Sequence, residues 1–151
     1  MMNKEKKKLY INEMKTQFDK SEAVIVAHYQ GLTVSQLDEL RSKMREHGIQ
    51  FKITKNRITK LALKETPKKD LEKYFTGPTA AAISSDPIST AKILTKFSKS
   101  NNKLKIIAGF MDGKVLDEKE VSIIATLPSL EEARAKIVGI LASPAQKLVS
   151  I

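Results

Sequence analysis

Apolar and polar positions along this chain switch between a helical and a strand period, and the switches mark its elements. Over residues 4–20, Tyr10, Met14 and Phe18 recur every fourth position with Ile11 beside them, the stripe of an amphipathic helix. Ala23 to Tyr29 is a short Val- and Ile-rich run between Ser21 and Gly31, which predicts a buried strand. Thr33 and Gln36 form a capping-box pattern, and Val34, Leu37, Leu40 and Met44 give the helix face that follows. His47-Gly48 closes that helix with glycine just past its end. Ile49 to Thr54 alternates as a second strand, with Phe51 and Ile53 on one face, and a helix runs on to about Glu65 with Ile58, Leu61 and Ala62 on one side.

Pro67 stops that helix. Lys68 to Phe75 reads as a short polar helix ending at Gly77-Pro78, and Thr79 to Ser84 as a strand with three consecutive alanines. Those small side chains would let a helix or an RNA backbone come close. Asp86-Pro87 is a cap followed by proline at the first helical position, with Ile88, Ala91, Leu94 and Phe97 as the apolar face. Leu104 to Met111 is a strand, and Asp112-Gly113 a two-residue hairpin signal leading into Lys114-Val115-Leu116. Asp117 with Glu120 starts a helix to Leu127, and Ser129 with Glu132 starts another carrying Leu130, Ala133, Ile137 and Leu141. Ser143-Pro144 interrupts it and opens a last helix with Ala145, Leu148 and Ile151.

Residues 23–111 therefore run β-α-β, a helical insertion, then β-α-β. That order predicts an α+β fold of the ferredoxin-like, split βαβ kind: a four-stranded antiparallel sheet with helices on one face. An N-terminal helix precedes it and C-terminal helices follow. Residues 1–127 are expected to form the globular domain and residues 128–151 a helical segment.

Charge directs attention to one stretch. The 151 residues carry 27 Lys and Arg against 17 Asp and Glu, a net +10, which points toward a polyanion and most often nucleic acid. The excess leans to the first 60 residues, where 13 basic groups face 7 acidic ones. Within them, Lys55-Asn56-Arg57 sits where a strand turns into a helix, with Lys60 one turn on. Asn56 is placed to cap that helix, whose free N–H groups and partial positive charge favour an anion. Strand, corner and helix together predict a phosphate-binding site. Lys4, Lys6, Lys7 and Lys8 cluster at the start of the first helix, where a solvated face and a phosphate contact are both open readings.

Other chemistry is thin. With no cysteine, disulfides and thiol chemistry are excluded, which suits a reducing cytoplasm. No apolar region follows the N-terminal lysines as a signal peptide needs, and no run approaches a membrane span of about 18 residues. No metal or cofactor motif stands out, and Gly109 and Gly113 lack the spacing of a nucleotide loop. His28 and Tyr29 are adjacent and could be read as the acid–base pair of a small enzyme. A strand sends neighbours to opposite faces, which favours a structural His28. Aromatic residues make up only 5%, so contact with phosphates and RNA shape is expected to outweigh base stacking.

The ordered series His28-Tyr29-Gln30-Gly31-Leu32-Thr33, Leu40-Arg41, Lys55-Asn56, Phe75-Thr76-Gly77-Pro78-Thr79-Ala80 and Leu127-Pro128-Ser129 resembles the bacterial ribosomal protein L-ten family, over nearly the whole chain. The resemblance implies a non-enzymatic large-subunit protein, in the cytoplasm on the ribosome. It implies binding to 23S rRNA under the stalk, beside the L-eleven protein. It also implies a C-terminal helix carrying dimers of the L-seven/L-twelve stalk protein, which recruit translation GTPases. Contact with rRNA maps onto Gly31, Lys55 and Asn56, supported by Lys7, Lys8, Arg57 and Lys60, and more weakly onto Gly77 and Pro78, whose other reading is a turn before a strand. Arg57 departs from the family, which usually has Thr or Ser there. The sequence given stops at Ile151, early in the helix after Ser143-Pro144, so only the start of a stalk-binding helix is expected, at Leu148 and Ile151. An assembly factor of the same fold, holding the same rRNA site, is the alternative in the same class.

Overall fold

A computed structural model describes residues 3–128 and 132–138. Its main elements run in the order α1 (Lys4–Lys20), β1 (Ala23–His28), α2 (Val34–Glu46), β2 (Gln50–Ile53), α3 (Asn56–Lys64), β3 (Thr79–Ser84), α4 (Pro87–Ser100), β4 (Lys105–Met111), β5 (Lys114–Asp117) and α5 (Glu118–Thr126). A 3-10 helix, Lys69–Tyr74, joins α3 to β3. It is the short polar helical stretch expected over 68–75, in 3-10 form. The segment starts just after Pro67 and buries only Leu71 of its own residues, too little apolar face to hold a longer helix. Residues 132–138 are helical, as the apolar spacing there predicts. The last expected helix, with Leu148 and Ile151, lies outside the described residues.

The sheet is antiparallel throughout, in the order β2-β3-β1-β4-β5. Read from β4 to β2 this is the split βαβ order, and the hairpin arm β5 extends it at one edge. Asp112 (φ 51°) and Gly113 (φ 79°) both lie in the left-handed region that a two-residue hairpin turn requires.

Helices cover both faces of the sheet, not one. Val24 and Val26 of β1 pack with Met14 and Phe18 of α1, Ala62 and Leu63 of α3, and Leu71 of the 3-10 helix. Ile25 and Ala27 point the other way, onto Leu40 and Met44 of α2, Leu94 and Phe97 of α4, and Val121 of α5. The chain already carries this instruction: β1 and β3 are continuous apolar runs with no polar alternation, so each must be buried twice. Folding the N-terminal helix and α3 onto the second face meets that need. A register shift between Val26 and Ala27 against β4 lets Ile106 and Ala108, two positions apart, join opposite cores. The alanines of β3 are fully enclosed between these layers, so no RNA backbone can approach them.

Lys68 ties the α1 end to this frame. The residue is 4% exposed, and its ammonium donates to the carbonyls of Phe18 and Ser21 (2.7 Å to the latter) and to the Ser21 hydroxyl at 2.8 Å. It also lies 5.7 Å from the centre of the Phe110 ring. A cation at the C-terminal end of α1 suits that helix's partial negative charge. Burial holds the Lys68 amine below its ordinary pKa, and the nearby Asp19 carboxylate opposes the shift.

Candidate nucleic-acid interface

The corner between β2 and α3 is held by three residues from three elements. Lys55, not Asn56, occupies the N-cap position of α3, and it makes no side-chain cap. Asn56 is already the first helical residue, and its amide is used elsewhere. Its Nδ2 donates to the Gly77 carbonyl at 2.7 Å, and its Oδ1 accepts from the Thr79 hydroxyl. From the end of β1, His28 Nε2–H donates to the Thr76 carbonyl at 2.8 Å. The 76–79 loop is thus clamped to α3 on one side and to β1 on the other. Gly77, at φ +74°, lies in the left-handed region that this bend needs.

The clamp frames an open groove of about 550 Å³, lined by Lys7, Tyr29, Thr54, Lys55, Asn56, Arg57, Ile58, Leu61, Gly77, Pro78 and Thr79. Lys7 arrives from α1, which packs alongside α3. Among the described residues no carboxylate lines it. Of the lysines outside it, Lys52 pairs with Glu13 at 3.1 Å, Lys15 with Glu65, and Lys64 with Glu72 at 3.9 Å. Positive charge from Lys7, Lys55 and Arg57 therefore gathers at the N-terminal end of α3, where the helix presents N–H groups.

Six of the expected site residues meet here: Lys7, Lys55, Asn56, Arg57, Gly77 and Pro78. Lys8, Gly31 and Lys60 do not line the groove. Gly31 (φ +90°) shapes the turn after β1, and a Cβ there would come within 3.2 Å of the Lys103 side chain. The groove lining also includes Ile58 and Leu61, which the sequence pattern places with Ala62 on one side of the helix. The buried face of α3 is Thr59, Ala62 and Leu63, which leaves Leu61 51% exposed and Ile58 half-buried. Helical spacing alone cannot separate these two faces, because α3 is apolar over more than half its circumference. Thr54 was also missed. It is a buried member of the groove lining, and its hydroxyl has no hydrogen-bond partner among the described residues.

Comparison with known proteins decides the family. The family model described as Ribosomal protein L10 matches residues 2–99. The large ribosomal subunit protein uL10 of Pelagibacter ubique is 63% identical over 150 residues, covering 99% of this chain and 90% of that protein. This chain belongs to the ribosomal protein L10 family. The uL10 proteins of Rhodospirillum rubrum (45% identical, 99% of this chain and 87% of that one) and Parvibaculum lavamentivorans (46%, 97% and 85%) are further relatives.

The L10 family is a structural family of the large ribosomal subunit, not an enzymatic one. The geometry around His28 agrees with a scaffold role: its Nε2 is committed to the Thr76 carbonyl, while Tyr29 lines the groove. Among the described residues no cluster of His, Asp and Glu could hold a metal, and no helix is long and apolar enough to cross a membrane.

Proposed function

We propose that this chain binds 23S rRNA at the base of the large-subunit stalk through the groove at the start of α3. The observation that carries this reading is the gathering of Lys7, Lys55 and Arg57 in one groove at a helix N-terminus, whose lining among the described residues holds no carboxylate. Phosphate oxygens are bound by such an arrangement through charge and backbone N–H groups together. Lys60, one turn along α3, and Lys8, next to Lys7, extend the positive strip. Gly31 is the outlying member, in the turn two residues beyond Tyr29. Asn56, Gly77 and Pro78 act by shape: the clamp fixes the distance between the α3 cations and the loop.

Residues 1–127 form the RNA-binding unit in this reading, with the L-eleven protein as a neighbour on the ribosome. Residues 128–151 lead into a helix, with Leu148 and Ile151 at its start, that carries L-seven/L-twelve stalk dimers. The cellular setting is the cytoplasm. Titrating the chain with a stalk-base fragment of 23S rRNA across a salt series tests the RNA part. Binding should weaken steeply and linearly on a log–log plot, in proportion to the phosphates neutralised. Affinity no better than for an unrelated RNA of equal length would overturn the reading.

A further inference from the structure

The groove holds more than phosphate binding requires. Phosphates need cations and N–H groups, yet part of the lining is apolar: half-buried Tyr29, Ile58 and Pro78, and exposed Leu61. Its volume, about 550 Å³, falls within the roughly 300–1,000 Å³ of sites that take small molecules. We propose that this groove takes one unpaired RNA nucleotide, with its base against Tyr29, Ile58, Leu61 and Pro78 and its phosphate on Lys7, Lys55 and Arg57. The proposal rests on the RNA-binding reading above and specifies what that site holds.

Three features fix the kind of ligand. A continuous duplex presents its bases stacked inside, so only an extruded or single-stranded nucleotide can reach apolar side chains. The cations and the apolar side chains line one groove, which matches the joined base and phosphate of one nucleotide. The groove also offers little to read a base edge. Both ends of the Asn56 amide are committed to Gly77 and Thr79, and the Thr54 hydroxyl is buried. Recognition is therefore by shape and ring contact, and any of the four bases is accepted.

The test uses the full chain and a stalk-base fragment of 23S rRNA in which each unpaired nucleotide in turn is made abasic. At one position the abasic change should weaken binding by roughly 5- to 100-fold, the range for losing one stacked base, with the salt slope unchanged. Tyr29→Ala and Leu61→Ser should each weaken binding to the intact fragment and become insensitive to that abasic position. Leu61 is exposed, so Leu61→Ser keeps its fold and carries the coupling measurement even where Tyr29→Ala does not. A flat abasic scan with salt-dependent binding intact would overturn the nucleotide site and leave the RNA-binding reading standing. So would a sensitive position that fails to couple to Leu61. Loss of specific binding by the unmodified chain would overturn the underlying reading instead.

Discussion

The Asn56 side chain reaches the Gly77 carbonyl at 2.7 Å and so joins the first turn of α3 to the loop before β3, 21 positions later. The same amide accepts from Thr79, so a single side chain holds both ends of a three-residue bend. Asn56→Ala removes both bonds and should cost about 1–3 kcal/mol. For a chain of this size that lowers Tm by roughly 2–4 °C per kcal/mol. Asn56→Asp keeps the acceptor for Thr79 and loses the donor to Gly77, so thermal unfolding should place it between wild type and alanine. Equal melting of all three proteins would show that the clamp contributes nothing.

Charge at the corner should be read most directly by salt. Lys55→Ala with Arg57→Ala removes two of the cations that line the groove. Each phosphate contact contributes roughly 0.7–0.9 to the slope of log affinity against log salt. The double variant should therefore bind the stalk-base fragment more weakly and show a slope reduced by about 1.4–1.8. An unchanged slope would move the RNA contact away from this corner.

Lys68 gives the fold a pH signature. Its amine is held below the ordinary value of 10.5 in the folded protein. Between that lowered value and 10.5, the unfolded chain binds more protons than the folded one, so this group makes stability rise with pH. Lys68→Met lacks the term. At neutral pH the variant should be less stable by about 1–3 kcal/mol, because the Phe18 and Ser21 carbonyls lose their donor. That deficit should widen as pH approaches 10.5. Urea unfolding of both proteins from pH 8 to 10.5 measures the difference, in which the opposing contribution of Tyr10, whose pKa is raised by burial, cancels. A deficit that stays constant or narrows contradicts the assignment.

Packing of α5 onto the sheet depends on a missing methyl group. A Cβ at Gly109 would lie 3.0 Å from Val121 Cγ2, and Val121 is buried. Gly109→Ala should push α5 off β4 and cost about 1–3 kcal/mol through overpacking, seen as a lower urea midpoint. Adding Val121→Ala opens room for the new methyl, so the double variant should lose less than the two single losses summed. Strict additivity would show that the two positions do not share the space.

Much of this fold was legible before any coordinates. The capping box Thr33/Gln36 is present in both directions, Asp86 caps α4 with Pro87 behind it, and Asp112-Gly113 makes the hairpin. These are local signals, each carried by two to four adjacent residues. What the sequence hid is tertiary. The split βαβ order predicts helices on one face only; the continuous apolar runs of β1 and β3 need both faces covered, and periodicity does not say which helices do the covering. Asn56 reads as a helix cap because its type and place fit one, yet its partners lie 21 and 23 positions on, at Gly77 and Thr79. Leu61 falls on the same expected helix side as Ala62, yet only Ala62 is buried. Of the groove, Lys55 and Arg57 were found through their charge. Ile58, Leu61 and Thr54 carry none and came to light only with the structure.

A map of the large ribosomal subunit with this chain in place tests the central claim most directly. The α3 corner, Lys55 to Lys60, together with Lys7 and the loop at Gly77-Pro78, should face the sugar–phosphate chain of 23S rRNA, with side-chain nitrogens at hydrogen-bonding distance from phosphate oxygens. A map that shows this corner turned to solvent, or covered by protein alone, would contradict the account.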